Sequence, residues 1–140
     1  MNVDIALSQD ITTCLSLRRA VFIEEQGVSE TDEVDDQDAD ALHLLARVEN
    51  YPVGTARLVM EGNTVKIGRV CVLSDWRGTG LGVALIRACV EIARNQPNVR
   101  RVKLGAQLHA LAFYQKLGFI PFGPVYDDAG IDHRDMEQDL

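Results

Sequence analysis

The sequence has no apolar run approaching the roughly 18 residues that a membrane-spanning helix needs, so no spanning segment is expected. Met1 to Leu7 lacks a basic stretch followed by an apolar one, which argues against a secretory signal and makes the cytoplasm the default compartment. Cysteine is scarce: Cys14, Cys71 and Cys89 form no C-x-x-C pair, and each lies in an apolar stretch where a free thiol behaves as a small hydrophobe. Basic residues are also outnumbered, and a net charge of −7 works against nucleic acid, whose binding rests on neutralising phosphates with Lys and Arg. No internal repeat and no low-complexity linker interrupts the chain. Residues 1–140 therefore read as one domain, large enough to bury a core without staples.

What is present alternates between strand and helix periods. Asn2 to Leu7 sets Val3, Ile5 and Leu7 against their neighbours, as a half-buried strand does. Ser8 or Asp10 can cap a helix that runs to about Glu25, where Gly27 stops it. From Glu30 to Asp40 carboxylates crowd a stretch nearly devoid of apolar residues, which reads as an exposed, solvated loop. Three strands are expected at residues 42–48, 53–60 and 64–73, with Tyr51-Pro52 and Glu61-Gly62-Asn63 as the turns of an antiparallel meander. Residues 81–94 carry Arg87, Glu91 and Arg94 on one helical face, with Leu81, Leu85, Cys89 and Ile92 on the other. A short strand at 101–104, a short helix at 110–117 closed by Gly118, and two final strands at 119–125 and 134–138 complete a mixed α/β domain.

The most informative segment is Val70-Cys71-Val72-Leu73-Ser74-Asp75-Trp76-Arg77-Gly78-Thr79-Gly80-Leu81-Gly82, a strand passing through a loop into a helix. Its glycines let the backbone turn sharply and approach a ligand. The amides of Gly78 to Val83 are the unpaired donors of a helix start, and the helix dipole adds to their pull on an anion. A diphosphate is the expected guest. A nucleoside triphosphatase loop would end in G-K-[ST], but Val83 and Ala84 follow Gly82. A dinucleotide site would need Gly or Ala where Val83 stands and a carboxylate about 20 residues on. No Asp or Glu occurs between Glu91 and Asp127. A calcium loop in the acidic stretch fails as well: with Asp36, Asp38 and Asp40 as first ligands, Ala41 stands where Gly is needed and Arg47 where Glu is needed. No metal is expected.

What remains is R-x-x-G-x-G, carried by Arg77, Gly80 and Gly82, which resembles the coenzyme A signature of the GNAT superfamily of N-acyltransferases. Downstream, Phe113, Tyr114, Gly118 and Phe119 resemble that superfamily's F-Y-x-x-x-G-F element. The similarity extends to its ElaA-like and YjcF-like branch through Arg19, Val21-Phe22, Glu25-Gln26, the acidic loop, His43, Val53-Gly54, Arg57, Arg69 to Leu73, Ala106-Gln107 and Ala129 to Ile131 with His133. The resemblance implies a central, mostly antiparallel sheet flanked by helices and splayed between its fourth and fifth strands, with acyl-CoA wedged in the gap. It implies acetyl transfer from acetyl-CoA to a primary amine, with a small molecule as the expected acceptor. Homodimers are compatible with it. The alternative is a CoA-binding or regulatory module that kept the fold and lost turnover.

By the same resemblance, the cofactor site comprises Val70, Cys71, Val72, Arg77, Gly78, Thr79, Gly80, Leu81, Gly82 and Val83, with a strand bulge exposing a main-chain amide to the thioester carbonyl. Tyr114 is the candidate general acid, because a phenol with pKa near 10 stays protonated at neutral pH beside a departing thiolate. Direct transfer is expected, since Cys71 has no evident activating base. Glu25, His43, His109 and His133 each qualify as a base, and no feature selects among them. Arg57 and Arg69 fall in strands that should be largely apolar, so each either lines an anionic substrate's site or pairs with a carboxylate. Gln26 and Gln107 join the acceptor pocket through the branch resemblance alone.

Overall fold

The computed structural model describes residues 2–140. One seven-stranded sheet forms its centre. The chain order is β1 (Val3–Leu7), α1 (Ile11–Arg18), a π-helical segment (Arg19–Glu25), the short α2 (Glu30–Glu33), β2 (Leu42–Val48), β3 (Tyr51–Glu61), β4 (Thr64–Val72), α3 (Leu81–Arg94), β5 (Arg101–Gln107), α4 (Leu111–Lys116), β6 (Ile120–Asp128) and β7 (Ile131–Asp139). Spatially the strands run β1-β2-β3-β4-β5-β7-β6, and only β4 and β5 are parallel. No helix among the described residues is long and apolar enough to cross a membrane.

Local chemistry sets the boundaries. Asp10 caps α1 by accepting from the Thr13 amide at 3.1 Å. α3 begins at Gly80, whose φ of 88° suits glycine. Leu85, Ile86, Cys89 and Ala93 of α3 pack on Leu58, Ile67, Val102, Leu104 and Met136 of the sheet, forming the larger core. On the opposite face, Cys14, Leu17 and Val21 cover Leu45 and Cys71. All three cysteines are buried and free, as expected.

Three expectations need correction. The first turn of the meander lies at Glu49 and Asn50, both at positive φ, while Tyr51 and Pro52 already belong to β3. The first helix is not uniform: beyond Arg18 it widens, the Gln26 amide bonding back five residues to Val21 at 3.0 Å.

The acidic stretch is not a solvated loop. It folds into α2 and a single 3₁₀ turn, Asp38–Asp40, and turns Glu33, Asp35 and Asp38 inward onto arginines while Glu30, Asp32, Asp36 and Asp40 stay exposed. Arg18, 1% exposed, donates to Glu33 and Asp38. Arg57, 5% exposed, donates to Asp35 and Asp38 at 2.7 and 3.0 Å. Acidic composition suggested solvation because charges are rarely buried unless paired. Here the pairing partners arrive from α1 and β3, distant in sequence.

Candidate active site

The parallel pair holds only from Thr64↔Arg101 to Ile67↔Leu104. Beyond it β4 runs on to Val72 beside β3, and β5 runs on to Gln107 beside β7, so the sheet opens between them. Where it opens, β4 carries an extra residue: Cys71 faces Thr55 and Gly68 faces Arg57, which leaves Arg69 and Val70 opposite Ala56 alone. Arg69 takes φ +50°, a left-handed conformation costly for a side chain of its size. Its guanidinium is tied down by the carbonyls of Glu33 at 2.9 Å and Asp32 at 3.4 Å and by Asp35 at 3.3 Å, so the acidic segment holds the bulge in place.

A cleft of about 270 Å³ occupies the opening. Gly68 and Gly105 lie at its floor, with Arg57 and Arg69 on one side and Tyr126, Asp128 and His133 on the other. The Tyr126 hydroxyl sits over Gly105 where a Cβ would collide with it, so this seat for Tyr126 depends on the missing side chain. That hydroxyl donates to Asp135 at 2.7 Å, and the Tyr126 ring stacks on His133 with centroids 6.0 Å apart. The Nδ1 of His133 donates to the Ile131 carbonyl at 2.7 Å, which leaves Nε2 of the neutral ring as an acceptor. Sequence reading missed Tyr126, Asp135 and Gly105, whose meaning lies in strand register rather than in any local motif.

Tyr114 enters from α4. The left-handed Gly118 turns the chain so that the Phe119 amide bonds to the Tyr114 carbonyl, and the buried Phe119 ring meets Tyr114 edge to face at 5.9 Å. The Tyr114 side chain lines the cleft, and among the described residues its hydroxyl has no protein partner. Burial pushes its pKa up to about 12.

The glycine-rich loop stands at the end of β4. Arg77 folds back to donate to the Val72 carbonyl at 2.9 Å, and Thr79 Oγ1 donates to the Trp76 carbonyl at 2.6 Å. No side chain caps α3. The six amides from Gly78 to Val83 make no bond to a protein group among the described residues; the first intrahelical donor is Ala84, to Gly80. Such a row of unmatched N–H groups at the positive end of a 14-residue helix is suited to an anion.

The other sequence-derived candidates divide. Gln26 and Gln107 line the cleft and join through a 3.0 Å hydrogen bond, and Arg57, Arg69, His109 and His133 line it too. His43 does not: it is buried, with Nε2 donating to the Asp38 carbonyl at 2.9 Å, and it faces a separate groove beside Leu7 and Ile11. Glu25 is outside the cleft as well, clasped by both terminal nitrogens of Arg77. Those hydrogen bonds hold its carboxyl below the usual range, which makes it a poor base. Arg57 fits both alternatives, pairing with Asp35 and Asp38 while lining the cleft. Cys71 is 5% exposed, and burial raises its thiol to about 12, so it is no nucleophile.

Comparison with known proteins agrees with the geometry. The family model for the acetyltransferase (GNAT) domain matches residues 16–140. ElaA of Escherichia coli is 34% identical, with 98% of this chain and 92% of ElaA covered, and its crystal structure superposes with a TM-score of 0.87 over 98% of this chain and 99% of that one. The N-acetyltransferase YjcF of Bacillus subtilis, itself uncharacterised, is 32% identical over 88% of each protein. An acyl-CoA N-acyltransferase from Pseudomonas aeruginosa superposes with a TM-score of 0.87 at 30% identity, covering 98% of this chain and 99% of that one. A parallel strand pair that parts at a bulge, an uncapped glycine-rich helix start and sequence matches along nearly the whole chain converge on one assignment: the chain belongs to the GNAT superfamily and is an acyltransferase.

Proposed function

We propose that the protein transfers an acetyl group from acetyl-CoA directly to a primary amine of a small molecule. The observation that carries this reading is the unmatched row of amides at residues 78–83, set beside the opening of the sheet. A diphosphate on Gly78, Thr79, Gly80, Leu81, Gly82 and Val83 leaves the pantetheine arm free to follow the main chain of Val70, Cys71 and Val72 into the cleft. Arg77, exposed and shared with Glu25, immediately precedes that row of amides. Placement in the cytoplasm, where acetyl-CoA is available, accords with this reading.

The acceptor nitrogen attacks the thioester carbonyl, forming the C–N bond as the carbonyl oxygen gathers charge. The bulge at Arg69 and Val70 supports main-chain stabilisation of that oxyanion. When the C–S bond breaks, the electron pair goes to sulfur, and Tyr114 is the donor suited to meet it. A phenol near 12 does not yield its proton fully to a thiolate near 8.5, a transfer uphill by roughly 5 kcal/mol at 1.36 kcal/mol per unit. Tyr114 therefore acts as a hydrogen-bond donor, and the proton that balances the reaction comes from the amine. His133, whose Nδ1 is occupied by the Ile131 carbonyl, is the cleft histidine placed to receive it on Nε2 when the ring is neutral.

Thiol release from acetyl-CoA, followed with a broad panel of amines, tests the proposal. Release that depends on both substrates is the expected result. Binding of CoA with no release from any amine would favour the turnover-free module instead.

A further inference from the structure

In a chain of net charge −7, the β3–β4 side of the cleft carries three cationic side chains, set beside Asp32 and Glu33. Arg57, Lys66 and Arg69 line it together. Lys66 is exposed and has no ion-pair partner among the described residues. Arg57, although 5% exposed, keeps an Nε–H with no acceptor. Arg69 spends Nε and Nη2 on the Glu33 and Asp32 carbonyls and on Asp35, while Nη1 makes no protein bond among the described residues. Burial first, and then the like charge of Arg57, hold the Arg69 pKa below the usual arginine value. Of the carboxylates nearby, Glu33 is shared with Arg18, and Asp35 and Asp38 with Arg57, while the exposed Asp32 stands at the rim of the cleft. A further anion at this wall would engage donors that now have no partner.

The opposite wall has the reverse character. Asp128 is exposed there beside Tyr126 and His133, and no arginine or lysine pairs with it among the described residues. A cleft of about 270 Å³ that must also admit a thioester leaves room only for a compact molecule.

Resting on the acyl-transfer reading above, we propose that the acceptor is a small amine that also carries a carboxylate. The carboxylate docks on Arg69 Nη1 and Lys66, and the amino group lies toward Asp128 and His133. Arg57 adds its positive field from behind. The compounds recognised are then amino-acid-like zwitterions rather than polyamines, which would place a second cation against Arg69.

Matched triplets of acceptor test this: an amino acid, its methyl ester, and the amine lacking the carboxyl group, each at saturating acetyl-CoA. The expected result is a kcat/KM at least about 10-fold higher for the acid than for either counterpart, the size of one charge-assisted hydrogen bond. The rates are compared per neutral amine, because the ester's amine is less basic than the acid's and the plain amine's is more basic. Lys66→Gln, at an exposed position that leaves the fold intact, should raise KM for the acid and leave the ester's KM unchanged. Arg69→Gln should shrink the acid-to-ester ratio further. Equal or faster turnover of the ester or the plain amine overturns the proposal while leaving acyl transfer intact. If no member of any triplet is acetylated, the acyl-transfer reading itself is at fault. Calorimetry of the same triplets on CoA-loaded protein then decides the docking question, and an acid that binds no tighter than its ester overturns it.

Discussion

Arg18 and Arg77 both clasp carboxylates, yet Arg18 is 1% exposed and Arg77 43% exposed. Around Arg18 the pairs interlock: Glu33 and Asp38 also reach Arg69 and Arg57, so three arginines from α1, β3 and β4 and three carboxylates of the acidic segment form one assembly, buried at Arg18, Glu33 and Arg57 and partly exposed at Asp35 and Arg69. Its product is geometric, since Arg69 is held at the left-handed bulge. The Arg77–Glu25 pair stands alone at the surface beside the glycine-rich loop, where water screens it and an incoming phosphate can compete for the arginine. Identical chemistry thus serves as frame in one place and as a displaceable cover in the other, and burial decides which.

The comparison is broken most severely by removing one member of the buried set. Glu33→Ala leaves Arg18 without its main partner at 1% exposure and should cost about 3–5 kcal/mol of stability, read by urea unfolding. Tyr114→Phe touches neither assembly. It should lower kcat about 100-fold, the effect of losing one hydrogen-bond donor to developing negative charge, with the unfolding midpoint unchanged, which separates framework from chemistry. Gly80→Ala puts a Cβ at φ 88°, a strain of roughly 1–2 kcal/mol, and should raise KM for acetyl-CoA about 10-fold with little change in kcat.

Acid should dismantle the buried assembly by a predictable route. At Asp35 and Asp38 burial raises the carboxyl pKa, but hydrogen bonds from Arg57 and Arg18 outweigh it and the net shift is downward. A depressed folded value means stability that is fully present above the unfolded value, about 3.9, and lost as pH falls through the folded one. Unfolding free energy should therefore be level near neutrality and fall below about pH 4, and Asp38→Asn should flatten that fall. The smallest effect belongs to the exposed pair: Glu25→Gln should change stability by no more than about 1 kcal/mol and tighten acetyl-CoA binding by releasing Arg77.

Much of this molecule was legible before its structure. The α3 boundaries and the meander follow from periodicity and turn residues, which are local signals, whereas the parting of β4 from β5 was expected only from the family resemblance. The acidic segment was misread because a run of carboxylates looks the same whether its partners are water or arginines 20 residues away. His43 and Glu25 were offered as bases on residue type, and only packing shows one turned toward the Asp38 carbonyl and the other held by Arg77. Tyr126 and Asp135 gave no signal because their partnership depends on β6–β7 register and on the missing side chain of Gly105.

The central claim is that the main chain of residues 78–83 holds the diphosphate of acetyl-CoA. Backbone amide chemical shifts followed during titration with CoA test it most directly. The account predicts the largest changes at Gly78 to Val83, with a second set along Val70 to Val72. Saturable binding whose shifts bypass those amides and gather elsewhere, for example in the groove around His43, would contradict it.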